Sequence, residues 1–61
     1  MNERYKYILF NELLRAEKLF LNETRLEVRR IYSVQYNALY DLLDEYGLRT
    51  AYTVWRAELA K

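Results

Sequence analysis

The sequence has no cysteine, no histidine and no proline, and a single glycine, Gly47, in 61 residues. Without cysteine there is no disulfide and no thiolate metal site. Without histidine the commonest zinc ligand is missing. Catalysis by a cysteine, or by a serine activated through histidine, is excluded on the same grounds. The one serine, Ser33, falls in the middle of a helical pattern. One glycine does not make a glycine-rich phosphate loop. No apolar run approaches the roughly 18 residues of a membrane-spanning helix, so no membrane partner is expected. The opening stretch holds Glu3, Arg4 and Lys6 and soon meets Asn11 and Glu12, unlike a signal peptide. The expected location is therefore cytoplasmic, and the sequon Asn22-Glu23-Thr24 is not expected to carry a glycan. The expectation is a protein that is not an enzyme and needs no cofactor.

What is present is apolar and aromatic. Hydrophobic residues make up 52% of the chain and aromatic residues 16%, with a net charge of +1. So balanced a charge does not point to a polyanion. In a chain this short the gain from burial and the cost of ordering nearly cancel. With a disulfide and a thiolate or histidine metal site excluded, helix packing or association must supply the staple.

Apolar residues recur at spacings of three and four, which predicts helix throughout. The fold class is all-α: an antiparallel helical hairpin with a short C-terminal third helix, in one domain covering residues 1–61. The first helix is expected over about 3–21, with Leu9, Leu13, Ala16 and Phe20 as its core stripe. The strand-like composition of Tyr5-Lys6-Tyr7-Ile8 allows an extended first turn. Asn22 is a candidate left-handed helix end. Thr24-Arg25-Leu26-Glu27 has the spacing of a capping box, Thr24 and Glu27 each satisfying the other's backbone NH. The second helix is expected over about 25–46, with Gly47 as its C-terminal cap and Leu48 folding back as the hydrophobic contact. The third is expected over about 50–60, anchored by Trp55.

Helix 2 is apolar on more than one face, and such a helix must be surrounded. Its charges oppose its own dipole: Arg25, Arg29 and Arg30 near the start, Asp41, Asp44 and Glu45 near the end. Two compensations are open. Within the hairpin, residues whose numbers sum to about 46 would face each other, placing Arg29 near Glu17 and Asp41 near Arg4 or Lys6. Alternatively, helix 2 packs antiparallel on its own copy. Arg25 then meets Glu45, Arg29 meets Asp41, Val28 meets Leu42, Ile31 meets Leu39, Tyr32 meets Ala38, and Gln35 lies on the two-fold axis.

The function expected is non-catalytic protein binding by a small regulator, adaptor or inhibitor of a larger protein, with self-association as a homodimer through helix 2 as one of the two arrangements left open. The candidate partner-binding residues are Arg25, Arg29, Arg30, Tyr32, Tyr36, Tyr40, Asp41, Asp44 and Glu45. Tyrosine and arginine dominate interface hot spots, and Tyr32, Tyr36 and Tyr40 repeat every four residues. The three acids could present a phosphate-like patch to a basic partner, or hold Mg²⁺ or Ca²⁺ through oxygens; a solvated face explains them better. The alternative is nucleic-acid binding. Residues 43–56 are laid out as a degenerate helix-turn-helix that would present Arg49, Thr50, Thr53 and Arg56. The Arg25, Arg29 and Arg30 patch beside Tyr32 and Tyr36 would stack single-stranded bases.

Overall fold

The computed structural model describes residues 2–61 and is all helical: α1 (Glu3–Asn22), α2 (Leu26–Glu45) and α3 (Arg49–Leu59). The first two form the hairpin and the third packs across one side of it. The start of α1 is fixed by Asn2, which is extended and accepts a 3.0 Å hydrogen bond from the Tyr5 NH through its side-chain oxygen. This cap satisfies one of the NH groups a helix start leaves without a partner. It carries Tyr5–Ile8 into the helix, so the extended first turn does not occur.

The α1–α2 turn is built differently from the sequence expectation. Asn22 is the last helical residue, Glu23 is extended, and no residue other than glycine has a positive φ among the described residues. The Thr24–Glu27 box does not form. Arg25 holds the N-cap position, without a side-chain cap bond. The Glu23 carboxylate instead accepts from the Arg25 backbone NH at 2.9 Å and from its guanidinium Nε at 3.1 Å. A carboxylate that takes an NH and a cation together makes charge-assisted bonds that a threonine hydroxyl does not match. The Arg25 guanidinium holds the Glu23 carboxyl below its usual range.

The end of α2 follows expectation. Gly47 has φ +67°, the left-handed conformation that closes a helix. Its NH donates to the Asp44 carbonyl and the Leu48 NH donates to the Leu43 carbonyl, both at 3.0 Å. These are the two bonds of the Schellman motif. Leu48 then turns inward and packs against the core.

The core itself is small and lies at one end of the hairpin. Leu9, Phe10 and Leu13 of α1, Leu43 of α2 and Tyr52 of α3 are buried together, with Tyr36, Leu39, Tyr40, Leu48 and Trp55 around them. The Phe10 ring meets Tyr52 at 5.4 Å and Trp55 at 5.3 Å between centroids. Such aromatic pairs contribute about 0.5–1.5 kcal/mol beyond their area, and here they are what holds α3 down.

A Cβ added at Gly47 would meet no atom within 4 Å, so only the backbone resists a side chain there. Gly47→Ala is expected to lower the unfolding free energy by about 1–2 kcal/mol, and Gly47→Asn by less, because asparagine tolerates this conformation. Urea denaturation checks both. Equal losses in the two variants would contradict a backbone origin.

Candidate functional site

The two sides of the hairpin have opposite characters. On the side that α3 covers, an aromatic chain runs from the turn to the core. Phe20 stacks on Tyr36 at 6.3 Å, Tyr36 meets Tyr40 at 5.1 Å, and Tyr40 meets Tyr52 edge-on at 6.0 Å. Arg29 lies over the Phe20 ring at 4.7 Å and Arg49 over Tyr40 at 4.8 Å. Beneath them Glu17 is buried, with Oε1 paired to the Arg56 guanidinium. Its other oxygen and the Tyr52 hydroxyl are buried with no hydrogen-bond partner. Burial pushes the Tyr36 hydroxyl up to about 12, helped by Tyr40 and by the charge of Glu17. Burial followed by Glu17 raises Tyr52 in the same direction.

This arrangement accounts for charges that the sequence left open. Glu17 is engaged by Arg56 rather than Arg29, and Lys6 pairs with Glu3 at 3.1 Å rather than with Asp41. Arg29 sits on an aromatic face instead. The reason is register. The groove on the open side is lined by Glu12, Ala16 and Leu19 of α1 and by Leu39, Gln35 and Tyr32 of α2. Paired in antiparallel order, Glu12 with Leu39, Ala16 with Gln35 and Leu19 with Tyr32, these residues have numbers summing to 51, not 46.

The nine candidate residues do not come together on one surface. Tyr32 lines the open-side groove, while Tyr36 and Tyr40 belong to the aromatic chain on the α3 side and line a cleft there with Asn37, Asp41 and Arg49. Arg25 is held by Glu23, and Arg29 by Phe20. Arg30 is exposed, as are Asp41 and Glu45. Asp44 makes two 2.6 Å bonds to Arg49, which depress its carboxyl and raise the Arg49 guanidinium. Asp41, Asp44 and Glu45 therefore do not converge. Among the described residues no three acidic side chains stand where they could hold a metal ion. The residues of a helix-turn-helix reading are also turned toward their own chain. Arg49 is on Asp44, Arg56 on Glu17, and the Thr53 hydroxyl donates to the Arg49 carbonyl at 3.0 Å.

The other side has no third helix. There α1 and α2 leave a groove of about 610 Å³ lined by Glu12, Arg15, Ala16, Leu19, Tyr32, Gln35, Ala38 and Leu39. Ile8, Leu19, Ile31, Val34 and Leu42 are each 37–68% exposed. Helical spacing sets Ile8 on the stripe of Glu12, Arg15 and Leu19, and sets Ile31 and Leu42 on the stripe of Gln35 and Ala38. The α1 half of this surface was missed from sequence. Its signal was present as Ile8 and Leu19, eleven residues apart and outside the core stripe. No protein-family model, curated protein or solved structure matches the chain. No helix among the described residues is long and apolar enough to cross a membrane.

Two outcomes follow from the α3 side. Arg56→Ala strands a buried carboxylate, whereas Glu17→Met leaves Arg56 able to reach water. Arg56→Ala is expected to be the more destabilising, by roughly 1–3 kcal/mol. The double variant should regain stability over Arg56→Ala alone, read from urea midpoints and from Trp55 emission. A double variant weaker than Arg56→Ala would contradict this. For Tyr36 the raised folded-state pKa means that the unfolded chain loses its proton first. Its contribution is complete below about pH 10 and is lost as pH rises toward about 12. Tyr36→Phe should make the fall in stability between pH 10 and 12 shallower. An unchanged slope would remove the assignment.

Proposed function

We propose that this chain is a non-catalytic protein-binding module whose docking face is the side of the hairpin opposite α3. The observation that carries the reading is the exposed apolar surface formed by Ile8, Leu19, Ile31, Val34 and Leu42 around the α1–α2 groove. Single exposed apolar residues are ordinary, but these border a groove whose own lining includes Ala16, Leu19, Tyr32, Ala38 and Leu39, and an apolar groove of this kind supports an interaction surface. Glu12, Arg15 and Gln35 give that surface polar groups that fix orientation, as in other protein interfaces.

Direct nucleic-acid binding is less well supported. A phosphate-binding surface needs basic groups available to phosphates. Arg25, Arg49 and Arg56 are each held by a carboxylate of the same chain. Catalysis has no support in the side-chain geometry described above.

The test is affinity capture on three forms of the chain, each checked for helicity. The forms are the unaltered sequence, Ile31→Asp with Leu42→Asp on the open side, and Arg30→Ala with Asn37→Ala away from it. A bound protein should be retained by the first and third forms and lost by the second, with a drop in affinity of about tenfold or more. Retention indifferent to the open-side change would reject this face. Retention of nucleic acid with a steep fall in rising salt would favour the alternative.

A further inference from the structure

Ile8, Glu12, Arg15 and Leu19 follow one another at spacings of four, three and four, so they lie within about 60° on one stripe of α1. Ile31, Gln35, Ala38 and Leu42 follow the same spacing on α2. Both stripes border the open groove, which is lined by Glu12, Arg15, Leu19, Gln35 and Ala38. A four-three-four spacing reads the same in both directions. An antiparallel copy laid on either stripe therefore meets it residue for residue. On α1, Ile8 meets Leu19 of the second copy, and Glu12 meets Arg15. On α2, Ile31 meets Leu42, and Gln35 meets Ala38. Every pair is apolar with apolar, acid with base, or large with small.

The two helices must share one two-fold axis. The α1 stripe is centred between residues 13 and 14, the α2 stripe between 36 and 37. Those centres have numbers summing to 50, against 51 for residues matched across the groove. The mismatch is one residue, about 1.5 Å of helix rise. A single axis perpendicular to the helices thus serves both stripes.

We infer that the occupant of the open face is a second copy of this chain, related by a two-fold axis that sets α1 on α1 and α2 on α2 in a four-helix bundle. This rests on the docking face proposed above and names what covers it. A two-fold interface must be self-complementary, and the mirrored order of apolar and charged residues meets that condition on both helices at once. Each helix has 20 residues, so the face is about 30 Å long and two helices, roughly 20 Å, wide. That is on the order of 600 Å² per copy, close to the ~800 Å² of a standard interface, and the dimer is reversible on dilution. Its register differs from a pairing of α2 alone through Arg25 and Glu45, because Arg25 is engaged by Glu23 and Arg29 by Phe20.

Glu12 and Arg15 are exposed, so their reversal leaves the core untouched, and circular dichroism confirms the fold of each variant. The solution mass of the full chain is followed by light scattering over a hundredfold concentration range. The unaltered chain should pass from monomer to dimer. Glu12→Arg alone, or Arg15→Glu alone, sets like charges opposite each other twice per dimer. Each should raise the dissociation constant about tenfold or more. Mixing the two single variants should restore association, because in the mixed dimer every facing pair is again acid with base. An effect within a single copy would not produce that rescue. A monomer at every concentration would overturn the second copy as occupant while leaving the face open to a different protein. A dimer indifferent to the single reversals, or unrescued by mixing, would overturn this register. A dimer disrupted by Arg30→Ala with Asn37→Ala but not by Ile31→Asp with Leu42→Asp would overturn the docking face as well.

Discussion

Phe10 is the contact on which the arrangement of the three helices depends. Its ring is almost fully buried and touches Tyr7 on its own helix and Tyr52 and Trp55 on α3. With Leu9, Leu13 and Leu43 it makes a core confined to one end and one side of the hairpin. A chain of this length has enough helix to cover one side of two others and no more. Where α3 goes decides which surface is inside and which is left exposed. The Schellman turn at Gly47 reverses the chain within two residues and delivers Leu48 to the core, and the contacts of Phe10 with Tyr52 and Trp55 set the side that α3 covers.

Charge supports the same division. Helix α2 carries its acids and bases against its dipole, and the cost is met close by rather than across the hairpin. Glu23 neutralises Arg25 at the start, and Arg49 neutralises Asp44 at the end. Both pairs are exposed, so each contributes little stability but orients the turn it belongs to. The buried pair is different. Glu17 reaches α3 through Arg56 and lies beneath the tyrosines of α2, so it ties all three helices together at the edge of the core. The second Glu17 oxygen and the Tyr52 hydroxyl are buried on this side without a partner in the chain. The open side, in contrast, keeps its apolar residues in water.

Much of the fold was legible because it rests on short-range chemistry. Apolar spacing announced three helices, and Gly47 followed by Leu48 announced the second turn. The first turn was misread because Thr24 and Glu27 have the spacing of a capping box. The neighbouring Glu23 carboxylate instead takes the Arg25 backbone NH and guanidinium, which sets Arg25 rather than Thr24 at the N-cap. The turn is centred one residue later than expected, and the cross-helix charge pairs inferred from residue numbers do not form. The tyrosines at 32, 36 and 40 looked like one ladder because a helix stacks positions four apart. They slant across α2, however, and the boundary between its two sides falls between Tyr32 and Tyr36. Which side α3 would cover is a tertiary outcome, so Ile8 and Leu19, legible as apolar positions outside the core stripe, did not by themselves mark the α1 half of the open surface.

The open face is proposed as the place where this protein meets protein. Amide chemical shifts followed over a hundredfold change in concentration test that most directly, because they report residue by residue. Concentration-dependent shifts are predicted along Ile8, Glu12, Arg15 and Leu19 and along Ile31, Gln35, Ala38 and Leu42, with Tyr36, Tyr40 and Arg49 unmoved. Shifts concentrated on Tyr36, Tyr40 and Arg49, with the groove residues still, would contradict it.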